Sequence, residues 1–87
     1  MSLIVKFEEN MNVISRLLKK YRTEKNISYE KLSAQLELLG ISIHKQSLYD
    51  IENNKRTVKD YELYGLAKVL EIDVNDLLAD IKKKLGD

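Results

Sequence analysis

The chain has 87 residues, enough for one small domain with a modest core, and its 44% hydrophobic and 33% charged residues mark it as folded rather than disordered. It has no cysteine, which excludes disulfides and thiolate metal sites, and no apolar run approaches the roughly 20 residues of a membrane span. The formal charge is only +1, but it is unevenly placed: Arg16, Lys19, Lys20, Arg22 and Lys25 face one acid, Glu24, across residues 13–25, whereas residues 60–87 hold seven acids and four bases. A polyanion feels the local field more than the total. The early segment, and residues 44–59 with four bases and two acids, therefore permit such a partner, while the C-terminal segment disfavours it.

Proline is absent and only three glycines occur, so few residues interrupt helices. Residues 1–12 read as an N-terminal arm containing the β-prone run LIVKF, residues 13–80 as the domain, and residues 81–87 as the end of a last helix. Nothing at the N-terminus resembles an export signal, so a cytoplasmic location is expected. A first helix, capped by Asn10 or Asn12, runs to about Lys25, with Val13, Ile14, Leu17, Leu18 and Tyr21 on one side. Ser28 caps a second helix, with Glu30 in its first turn and Leu32, Leu36 and Leu39 inward. Gly40 supplies the left-handed residue that ends it.

A third helix covers roughly 45–53, with Asn54 at its left-handed end. TVKD, from Thr57 to Asp60, has the form of a capping box for a fourth helix carrying Tyr61, Leu63, Tyr64, Leu66, Ala67 and Leu70. Asp73 caps a fifth, whose apolar positions are Val74, Leu77, Leu78, Ile81 and Leu85. The expected fold is all-α, with five helices. Its core is expected to include Leu32, Leu48, Ile51, Leu63, Leu66, Ala67 and Leu70.

The third helix has two unlike faces. At about 100° per residue, Lys45, Gln46, Tyr49, Asp50 and Asn53 share one side, and Leu48 and Ile51 the other. A short helix pinned by a few apolar residues leaves its polar face open, which is the requirement for reading a DNA major groove. Gln46 can pair with adenine, Lys45 can reach guanine acceptors, the Tyr49 ring can touch a thymine methyl, and Asp50 can accept from cytosine N4. The same face could also be an ordinary solvated surface.

The segments YEKLSAQL, SLYDIENNKR and YELYGLAKVLEI, taken together over roughly Val13 to Leu78, resemble the helix-turn-helix domain of phage repressor and Cro-type proteins, the Xre family. The resemblance implies a lambda-repressor-like fold and sequence-specific binding of double-stranded DNA by a repressor-like regulator of transcription. It also implies that Lys45, Gln46, Tyr49 and Asp50 read bases. Ser28, Tyr29, Ser47, Asn53, Lys55 and Arg56 match positions near the DNA backbone. Arg22 and Glu52 match a pair of opposite charges that is structural in the family, which would remove Glu52 from the DNA face. The chain departs from the pattern in a longer connection between the second and third helices, in His44 at the capping position, and in Asn54 and Glu71 where glycine is usual.

No enzyme is expected. His44 is the only histidine; Asp73, Asp76 and Asp80 lack the glycine and terminal glutamate of a calcium loop; and no phosphate-binding glycine loop occurs. Neither a metal nor a cofactor is expected. The alternative function is a protein-interaction module, antitoxin-like or regulatory, in which DNA contact is secondary or lost. A homodimer is expected on DNA, through Ile81 and Leu85 or through LIVKF, because those residues extend apolar surface beyond the family's usual core.

Overall fold

The computed structural model describes residues 12–86, so LIVKF and Asn10 lie outside the described residues. Six helices are described: α1 Ser15–Glu24, α2 Tyr29–Leu38, α3 Lys45–Glu52, α4 Asp60–Val69, α5 Val74–Leu77 and α6 Ala79–Lys84. Ile14, Leu17 and Leu18 from α1 and its lead-in, Leu32 and Leu36 from α2, Leu48 and Ile51 from α3, Leu66, Ala67 and Leu70 from α4 and its end, and Leu77 from α5 form one buried cluster. Ile43, in the α2–α3 connection, joins it. The α2–α3 pair packs most extensively, and α1 and α4 brace it from either side.

Local chemistry sets most of the helix ends. The Ser28 hydroxyl accepts from the Lys31 N–H at 3.1 Å, and the Asp73 carboxylate accepts from the Asn75 N–H at 2.8 Å. Asp76 returns the bond by accepting from the Asp73 N–H. Gly40, Asn54 and Glu71 all have positive φ, as does Asn26 after α1. Glu71 is the least suited of these to a left-handed backbone.

Several sequence expectations are corrected. The expected fifth helix is two pieces, broken at Leu78 (φ −92°, ψ 4°), so the described residues hold six helices rather than five. The two pieces have different anchors: Leu77 is fully buried, whereas α6 is tied to α1 by a two-bond pair between Arg16 and Asp80. Helix α4 begins after Lys59, not Thr57, because the Glu62 carboxylate accepts from the Lys59 N–H at 2.9 Å. Leu63 is only partly buried, and Leu39 turns outward at the end of α2. Asn12 does not cap α1. It is buried and crosses to the loop after α3, where its amide donates to the Ile51 and Arg56 carbonyls and accepts from the Val58 N–H.

Candidate nucleic-acid interface

Helix α3 is eight residues long and buries Leu48, Ile51 and Glu52. Lys45, Gln46, Tyr49 and Asn53 are exposed, while Ser47 and Asp50 are half-buried. The apolar edge anchors the helix and leaves the polar edge open, as the wheel requires. His44 caps the start through Nδ1, which accepts from the Gln46 N–H at 3.2 Å. A ring nitrogen does the work of the usual hydroxyl there. At the other end, the Ile51 carbonyl, one of the helix's terminal acceptors, receives the Ser15 hydroxyl at 2.6 Å and the Asn12 amide at 3.2 Å. Before α3, the Ser33 hydroxyl donates to the Ile43 carbonyl at 2.6 Å and fastens the long connection to α2. The end of α3 is thus held by Ser15 of α1 and by Asn12, and the connection before its start by Ser33 of α2.

Arg22 and Glu52 come together. The Arg22 Nε lies 2.7 Å from Glu52 Oε2, and its second nitrogen 3.3 Å from Oε1. The Tyr29 hydroxyl donates to the same Oε1 at 2.7 Å. Three donors surround a carboxylate whose side chain is fully buried, which is the condition for such a charge to be tolerated. Burial alone would lower the Arg22 pKa, but the hydrogen bond and charge of Glu52 outweigh it and hold the guanidinium above its ordinary value. Burial, followed by the neighbouring carboxylate, pushes the Tyr29 phenol up, so it stays protonated and donating. Its proton is therefore not available to a phosphate.

The two acids of α3 have separate roles. Glu52 is inside. Asp50 stays on the outer edge, where its Oδ1 accepts from the Gln46 side-chain amide at 3.2 Å. That bond spans one helical turn and restrains the Gln46 amide on the face it shares with Asp50. It also occupies one of the two amide hydrogens that Gln46 could offer a base.

Arg56, expected near the DNA backbone, is half-buried in the loop after α3. Its guanidinium makes two bonds to Glu62, at 2.9 and 3.1 Å, and a third to the Thr57 carbonyl. Lys55, by contrast, is exposed, with Nζ 5.7 Å from the Tyr49 ring centroid. Asn53 turns its amide back to the Tyr49 carbonyl at 2.8 Å. The Ser28 hydroxyl is used as a cap, so the start of α2 offers backbone N–H groups rather than side-chain donors.

Asn12, Ser15, Ser33 and Glu62 were not expected at this site. Each acts over a long sequence separation or by accepting from backbone, and no periodicity signals such bonds. Among the described residues, no cluster of His, Asp or Glu could hold a metal ion. None of the described helices is long and apolar enough to cross a membrane.

No curated protein and no solved structure matches the chain. A family model described as helix-turn-helix matches residues 18–77, from the middle of α1 to the end of α5, which is more than half the chain. The chain therefore belongs to the Xre-type helix-turn-helix family of DNA-binding transcriptional regulators, which are not enzymes.

Proposed function

We propose that this sequence-specific DNA-binding regulator reads its site with α3 in the major groove and Lys45, Gln46 and Tyr49 on base edges. The supporting observation is the division of α3: Leu48, Ile51 and Glu52 are buried while Lys45, Gln46 and Tyr49 are open. Asp50 orients Gln46 and disfavours sites that bring a phosphate or a base acceptor close to it. Lys55, Ser47, Asn53 and the N-terminus of α2 at Ser28 and Tyr29 face the backbone and supply sequence-independent affinity. The Arg56 side chain is committed to Glu62, so its part is to hold the loop after α3.

Binding selection from random duplex DNA at several salt concentrations tests this reading. Gln46→Ala should lose roughly 1–3 kcal/mol on the preferred site and little elsewhere. Lys55→Ala should weaken all duplexes alike and lower the salt slope by about 1. Equal weakening of preferred and random DNA by Gln46→Ala would remove it from the reading face. A protein partner is the second reading. It is favoured by Leu38, 86% exposed, and by Tyr61 and Tyr64, both more than half exposed on α4. A salt slope near zero would favour it over DNA. A cytoplasmic homodimer completes the proposal.

A further inference from the structure

Tyr29 lies between the buried ion pair and the open face of α3. Its hydroxyl is held by Glu52 at 2.7 Å, and the Arg22 guanidinium carbon sits 4.0 Å from its ring centroid. The ring then meets Tyr49 edge-to-face, with centroids 6.0 Å apart and planes at 78°. Tyr49 is 41% exposed, and Lys55 Nζ lies 5.7 Å from its ring centroid. An exposed tyrosine on a bare helix can sample more than one χ1 rotamer. Here one ring, itself fixed at its hydroxyl and over one face, blocks part of that freedom.

We infer that Tyr29 is a positioning residue for base recognition: its ring holds Tyr49 in the rotamer offered to the DNA, so it sets base preference at the pair Tyr49 meets without touching a base. This rests on the reading of α3 as the base-contacting helix. It assigns the Tyr29 side chain a role other than a backbone contact.

The test compares base preferences, position by position, for Tyr49→Ala, Tyr29→Leu and Tyr29→Phe. Tyr49→Ala locates the base pair concerned; if no position changes, the reading of α3 fails, not only the inference. Tyr29→Leu removes the ring contact and should flatten preference at that same pair by about threefold to tenfold, the range an aromatic pair represents. Tyr29→Phe keeps the ring and loses only the bond to Glu52, so it should lose stability yet keep the preference. A merely structural Tyr29 would alter affinity for all sequences equally in both variants. Preference retained in Tyr29→Leu, or lost in Tyr29→Phe, overturns the inference. Should Tyr29→Leu fail to fold, side-chain couplings of Tyr49 in the unbound native chain decide: one χ1 rotamer supports the inference, and averaging over several refutes it.

Discussion

Glu62 shows how a single carboxylate is used twice. Its Oε1 accepts from the Lys59 N–H at the start of α4, and its two oxygens hold the Arg56 guanidinium from the loop after α3. The residue is 2% exposed, and burial works to raise its pKa. The Arg56 hydrogen bond and the backbone N–H outweigh burial, and the net shift is downward. A depressed carboxylate stabilises the fold fully above its unfolded pKa, about 4.3, and that contribution is lost as pH falls through the lower folded value. Glu62→Gln should therefore cost about 1–3 kcal/mol at neutral pH, as expected for hydrogen bonds to a charged group. It should also flatten the fall in stability below about pH 4. Denaturant titrations across the acid range measure this. Parallel stability curves for the variant and the native chain would show that Glu62 does not contribute to the acid limb. Glu62 was invisible in the sequence because its partner is six residues away, beyond the reach of a helix-face rule. Glu52 was legible only through the family resemblance, since a glutamate beside Leu48 on a wheel otherwise looks misplaced.

Among the elements, those fixed by local chemistry were legible in the sequence. Ser28, Gly40, Asn54 and Asp73 mark helix ends by their own preferences, and the structure puts ends there. Elements fixed by distant partners were not. Asn12 resembles a cap but instead bridges to the loop after α3, 39 to 46 residues away. Nor does the sequence distinguish one helix of about three turns from two short ones, because the apolar spacing runs through Leu78 unbroken. Gly65 is a third case: the periodicity treats it as a gap, yet a Cβ there would overlap the Ile41 side chain and lie 3.2 Å from Leu36 Cδ2. Helix α4 can approach the α2–α3 connection closely because that Cβ is missing. Alanine would gain about 1 kcal/mol of helix propensity but overpack the contact, at a typical cost of 1–3 kcal/mol. Gly65→Ala should be net destabilising by roughly 1 kcal/mol in urea unfolding, and adding Ile41→Val should restore part of it. A more stable Gly65→Ala would mean that Ile41 yields freely and that the close approach has no bearing on how the connection delivers α3.

At the scale of the whole molecule, the proposed interface is small and the overall charge slight. A single module of this kind buries only roughly 600–1,000 Å² on DNA, and a net charge of +1 adds little long-range attraction. Two copies on half-sites about one helical turn apart would double both the contacts and the sequence read. The surface proposed for that pairing is α6. Leu85 is 55% exposed at its end, and Ile81 is half-buried beside a groove that also takes in Asn12, Val13, Arg16 and Lys84. Lys82, Lys83 and Lys84 lie around these apolar residues and keep the patch narrow, so the dimer should be weak until DNA brings the copies together. Sedimentation with and without a palindromic duplex should show a largely monomeric free chain and two chains per duplex. Leu85→Glu should abolish the second chain while leaving the unfolding temperature of the free protein nearly unchanged, because substitutions at exposed sites usually shift stability by no more than about 0.5 kcal/mol. Binding to a single half-site should be unaffected, since α6 is not part of the proposed reading surface. One chain per duplex at every concentration would refute the dimer. Two chains per duplex in Leu85→Glu would keep the dimer but move its contact elsewhere.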